Sequence, residues 1–99
     1  MNYRLRLLEA TEQEVEEASD WYGSRSEPSR TAFLLEIEQA LKHILRRPYT
    51  WSRYVGGTRR YVCKTFPYSL IYLVEGDAVV VVAVAHQSRR AGYWKNRLQ

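Results

Sequence analysis

The sequence predicts an α+β fold in which an antiparallel αα-hairpin packs on one face of a mostly antiparallel four-stranded sheet, in the order β-α-α-β-β-β. Three observations predict it. Two segments with apolar residues at helical spacing follow one another across a short link. Strand-like segments come after them, two of which flank Gly76-Asp77, a two-residue hairpin signal. The last strand is apolar on both faces and must lie centrally and be covered. The helical hairpin is the apolar surface available to bury the resulting meander.

The first strand is "YRLRL", Tyr3 to Leu7. Tyr3, Leu5 and Leu7 alternate with Arg4 and Arg6, the period of a half-buried strand whose charged face discourages pairing with other chains. "TEQE", Thr11 to Glu14, has the form of a capping box, and Glu12, Glu14, Glu16 and Glu17 suit the positive end of a helix. Val15, Ala18 and Tyr22 form its stripe, with Trp21 beside them, and Gly23 to Ser26 is expected to end it. The second helix is the clearer one. Pro28 suits its first turn, Phe33, Leu34, Ile37, Leu41, Ile44 and Leu45 recur at helical spacing, and Pro48 stops it. His43 faces away from that stripe. "YTWSRYVGGT" reads as a loop with a turn at Gly56-Gly57. "TRRYVCKTF" reads as a strand carrying Arg60 and Lys64 on one side and Tyr61 and Cys63 on the other, interrupted by Pro67. "YSLIYLVEGDAVVVVAVAH" supplies the last two strands, in which Tyr68 and Tyr72 are packing residues.

Ninety-nine residues fit one domain, residues 1–99, with one modest core. A lone cysteine, Cys63, excludes an internal disulfide framework and a Cys-based zinc site, and fits a reducing, cytoplasmic setting. The N-terminus has no apolar stretch of signal-peptide length, and no run approaches the about 20 residues of a membrane helix. Charge is divided unevenly. Residues 1–49 hold nine acids and seven Lys/Arg, whereas residues 50–99 hold two acids and eight Lys/Arg. The C-terminal half therefore suits an anionic partner, or simply a solubilising surface. The change is sharpest in "VVVVAVAHQSRRAGYWKNR", where a core strand runs into a basic, aromatic tail.

Taken in order, "SDWYGSRS", "RTAFLLEIEQALKHILRRPYTW", "RRYVCKTFPYSLIYLVEGDAVVVVAVAH" and "RRAGYW" resemble the RelE/ParE superfamily, the toxins of type II toxin–antitoxin modules, over nearly the whole chain. Ala91 departs from the pattern, standing where the family ending has proline, which leaves the tail less fixed. The resemblance implies a bacterial, cytoplasmic toxin, without metal or cofactor, of the kind that serves plasmid stabilisation. It also implies neutralisation by a cognate antitoxin, and it allows a homodimer. Two activities occur in the superfamily. ParE-type members poison DNA gyrase by binding, and RelE-type members cut mRNA on the ribosome. Trp21-Tyr22, "FPY" and the "VEGD" turn look more like the ParE side. A member that has lost toxicity is a third reading.

Metal-free RNA cleavage needs a base, an acid and cations around the phosphorane. His86, Arg89 and Tyr93 are the candidates if the protein is a nuclease. A target-binding surface would draw on Arg60, Lys64, Arg89, Arg90, Tyr93, Trp94 and Lys95. Plainer roles compete with these. They are hydrogen bonding alone for His86 at a strand end, solvation of the sheet for Arg60 and Lys64, and closure of the core as a lid for Tyr93 and Trp94. "YSLIYLVE" carries no basic residue, which weighs against the nuclease.

Overall fold

The computed structural model describes residues 2–98. Strand β1 (Arg4–Leu7) leads into helices α1 (Glu9–Arg25) and α2 (Glu27–Arg46), followed by β2 (Ser52–Arg53), β3 (Arg59–Val62), β4 (Tyr68–Glu75) and β5 (Ala78–His86). The sheet has the order β1-β5-β4-β3-β2. Only β1 runs parallel to its neighbour, β5; the other pairs are antiparallel. The expected element order holds, with a fifth strand added where a loop was expected. That strand is two residues long, too short to show a period, and pairs Ser52 with Arg60 and Arg53 with Arg59.

The link between the helices is a single residue. Ser26 is extended, its N–H donates to Tyr22 O at 3.0 Å, and its Oγ accepts the Ser29 N–H at 3.1 Å, so it closes α1 and opens α2 at once. Helix α1 runs through Gly23 and ends at Arg25, within the expected Gly23 to Ser26 span. The Arg30 side chain crosses at Gly23, and a Cβ on Gly23 would sit 2.0 Å from Arg30 Nη2. Arg30 then reaches Asp20 and Ser19, both at 3.2 Å, and ties the two helices together.

The capping box does not form. Helix α1 begins at Glu9, with Leu8 as its N-cap. Thr11 is inside the helix, fully buried, and donates to Val81 O at 2.9 Å. Glu14 faces the C-terminal tail. The buried seam of α2 is Phe33, Ile37, Ala40 and Ile44. Leu41 and Leu45 flank it half-buried, and Leu34 is 40% exposed. The small Ala40 lies in the seam that the bulkier leucines were expected to fill.

Strand β5 is covered on both faces. Val79, Val81 and Val84 point to the helices, with Leu70 and Tyr72 of β4. Val80, Val82 and Ala83 point the other way, into a second core closed by Trp94. The alternation breaks because Tyr72 pairs with Val81 and Ile71 with Ala83, leaving Val82 as a bulge. The bulge shifts the phase of the strand end and places His86 against Tyr68 on the helix side, ring centroids 5.1 Å apart.

Candidate functional site

The face of the sheet away from the helices is closed by the segment after β5. From His86 the chain turns, with Arg89 N–H donating to His86 O at 3.0 Å. Trp94 then inserts into the second core at 1% exposure, beside Ile71, Val80 and Val82. It supports the surface from within and presents almost none of itself to a partner. The passage of a core strand into a basic, aromatic tail has a packing reason. The apolar strand needs a cover, and the tail that covers it brings its cations along.

Between that tail and β3 lies a groove of about 350 Å³. Arg60, His86, Arg89, Arg90, Tyr93 and Tyr54 are among its lining residues, and no acidic residue is. Arg60, from β3, is exposed and lays its guanidinium over the Tyr54 ring, 4.5 Å from the centroid. Arg89 does the same over Tyr93, at 3.8 Å. A guanidinium held on an aromatic face keeps its N–H groups available while losing rotamer freedom in advance. Neither Arg89 nor Arg90 makes an ion pair among the described residues. The arrangement can accept an anionic group, phosphate or carboxylate, through charge-assisted hydrogen bonds.

The remaining candidates stand apart. Lys64 lies beyond the end of β3, in a turn whose backbone is held by Glu36 of α2. Glu36 accepts the Lys64 N–H at 2.6 Å and the Thr65 N–H at 3.0 Å. Lys95 is exposed in the final turn and does not line the groove. Cys63 is buried, and burial pushes its thiol up to about 12.

His86 is engaged locally. Its Nδ1 accepts the Ser88 N–H at 3.0 Å and lies 2.8 Å from Ser88 Oγ. An Nδ1 that accepts a backbone N–H carries no proton of its own, so the neutral ring bears its proton on Nε2. The Tyr93 hydroxyl donates to Glu14 Oε2 at 2.5 Å. Burial, and then this hydrogen bond, hold the phenol well above its ordinary range. A phenol so placed is a poor base.

Sequence reasoning did not single out Glu14 as a tail contact, nor Arg97 or Tyr54 as parts of the site. Glu14 also accepts the Val84 N–H at 3.0 Å and a two-pronged contact from Arg97, at 3.0 and 3.1 Å. The hydrogen bond to Glu14 raises the Arg97 guanidinium above its ordinary value. One signal was present: Glu14 is a lone acid within the stripe of Thr11, Val15 and Ala18, where a charge needs a partner. His43, which faces away from the apolar stripe, lies 2.9 Å from the Tyr61 hydroxyl through Nδ1.

A second groove, of about 640 Å³, runs beside α1 and is rimmed by Glu17, Trp21, Tyr22, Tyr68 and His86. Trp21 is 53% exposed and carries Arg25 over its ring at 4.3 Å. No group of His, Cys, Asp or Glu among the described residues has metal-binding geometry. No helix among them is long and apolar enough to cross a membrane.

The profile of the family described as "ParE toxin of type II toxin-antitoxin system, parDE" matches residues 5–91. Among solved structures, a chain of the chromosomal ParDE TA system from P. aeruginosa superposes with a TM-score of 0.73. It is 16% identical, and the match covers 85% of this chain and 95% of that one. At that identity the likeness speaks for the fold. No curated protein matches the chain at a significant level.

Proposed function

The chain belongs to the ParE toxin family of type II toxin–antitoxin systems, and on that premise we propose that it arrests growth by binding and poisoning DNA gyrase through the groove lined by Arg60, Arg89 and Arg90. The observation that carries this reading is the pair of guanidiniums held on Tyr54 and Tyr93 in an acid-free groove. Gyrase at work on DNA offers both carboxylates and phosphates to such a surface. Preset arginines favour either at a reduced entropic cost.

A cognate antitoxin would neutralise the protein. The basic half of the chain suits an acidic segment, and the groove beside α1 and the exposed strand edges suit a helix or an extended stretch. A RelE-like mRNA endonuclease is the second reading, favoured by the convergence of His86, Arg89 and Tyr93 at one end of the sheet. The engaged Nδ1 of His86, the Tyr93–Glu14 bond and the lack of a basic residue on β4 weigh for the binding inhibitor.

The test is induction in cells of the parent, Arg89→Ala/Arg90→Ala and His86→Ala, with DNA breaks and protein synthesis scored together. Each lost arginine contact costs about 1–3 kcal/mol, so the double variant loses at least about tenfold in potency. His86→Ala stays toxic if the protein only binds. A nuclease that used His86 as an acid or base would lose about 10²–10⁴ in rate. DNA breaks with tolerance at His86 support the gyrase reading; abrupt loss of translation with intolerance overturns it.

A further inference from the structure

Strand β1 is too short for the strand it pairs with. It accompanies β5 from Ala78 to Val81 and stops, while β5 continues to His86. Two backbone groups beyond that point, Val82 O and the Val84 N–H, are satisfied by side chains: Arg97 donates to the first at 2.9 Å, and Glu14 accepts the second at 3.0 Å. Glu14 and Arg97 thus stand in for the missing strand and also bond each other.

The same carboxylate takes the Tyr93 hydroxyl. With Val84, Tyr93 and both prongs of Arg97, it accepts four hydrogen bonds, and its side chain is 14% exposed. No acceptor site is left for a ligand or a substrate proton. On the far side of Tyr93 sits Arg89, its guanidinium 3.8 Å from the ring centroid. A continuous chain therefore runs from helix α1 through Glu14 and Tyr93 to the guanidinium in the groove. Besides Trp94, which is buried in the second core, the tail has little of its own to fix it. It turns at Gly92, whose φ is +84°, and Ala91 stands next to that turn without the rigidity of a proline ring.

We propose that Glu14 is a positioning residue: it anchors the C-terminal tail to α1 and, through Tyr93, holds Arg89 in place for the target. The functional half of this inference rests on the target-binding role proposed above for the groove; the anchor itself does not.

Two measurements test it. In Glu14→Ala, amide exchange at Val84, Tyr93 and Arg97 should quicken at least about tenfold beyond any quickening at the α2 core amides, which report global opening. In growth inhibition, Glu14→Ala/Arg89→Ala should be no weaker than Arg89→Ala alone, because Glu14 acts through Arg89. A Glu14 that merely added stability would make the two losses multiply. Tail exchange that does not move, or losses that multiply, would overturn the proposal. An Arg89→Ala variant as toxic as the parent would overturn the target role of the groove and its functional corollary, and the exchange result would still decide the anchor.

Discussion

Replacing Trp94 with Ala should cost about 4 kcal/mol, although the residue lies near the end of the chain. Its ring is 1% exposed and fills the second core against Ile71, Val80 and Val82. A buried aromatic of this class removes about 150–250 Å² from water. At about 25 cal/mol per Å² that is about 4–6 kcal/mol, an upper bound, because the unfolded chain already hides part of that surface. Substitutions of Phe or Trp by Ala in packed cores cost about 3–5 kcal/mol. The assay is urea unfolding followed by far-ultraviolet circular dichroism. With a slope of about 1.5 kcal/mol per molar, the midpoint should fall by about 2–3 M at unchanged slope. Trp94→Phe, which keeps most of the apolar contact, should fall by less than half as much. A midpoint lowered by less than about 0.5 M would show that the tail does not close this core, and the account of why the basic segment sits where it does would fail.

Other expectations follow from the same packing. Ile44→Ala should destabilise more than Leu41→Ala, by about 1 kcal/mol or more, since Ile44 is fully buried and Leu41 only flanks the seam; thermal melts of the two variants decide it. Thr11→Val should cost about 0.5–1.5 kcal/mol despite matching the volume of threonine, because Val81 O loses a buried donor at 2.9 Å and keeps the Leu8 N–H at 3.4 Å. Cys63 should react with iodoacetamide at pH 8 about a thousandfold more slowly in the folded protein than in urea, given a thiol pushed up to about 12 from 9.0 by burial. The same shift sets a stability limb. The folded state favours the protonated thiol, so this contribution is fully present below about pH 9 and fades as pH rises towards 12. Cys63→Ala should flatten that alkaline limb.

How much of this the sequence disclosed depended on the range of the interaction. Helix α2 was legible because Phe33, Ile37 and Ile44 are large and regularly spaced; Ala40 was overlooked because a small side chain carries little hydrophobic signal even when fully buried. The hairpin at Gly76-Asp77 was legible because its turn chemistry is local. The bulge at Val82 was not, since four consecutive valines look alike in any register. The start of α1 was misplaced because "TEQE" satisfies a local rule. Thr11 and Glu14 serve instead partners 70 to 83 residues away, which no local window contains. Within the site, Arg60, Arg89, Arg90 and Tyr93 were visible as a cationic, aromatic set, and the fold brings them to one groove. Lys64 had strand parity in its favour, but β3 ends at Val62, and the turn that follows carries Lys64 towards α2. Tyr54 was hidden in a loop and is recognisable only by what it supports.

Purified components decide whether the proposed groove binds gyrase. The parent protein and Arg89→Ala/Arg90→Ala would be titrated into a gyrase supercoiling reaction, and in parallel into a cell-free translation reaction programmed with a defined mRNA. The parent should block supercoiling and accumulate cleaved DNA. The double variant should need at least about tenfold more protein for the same effect, and the mRNA should stay intact throughout. Intact supercoiling activity alongside a cut mRNA would refute gyrase binding at the groove.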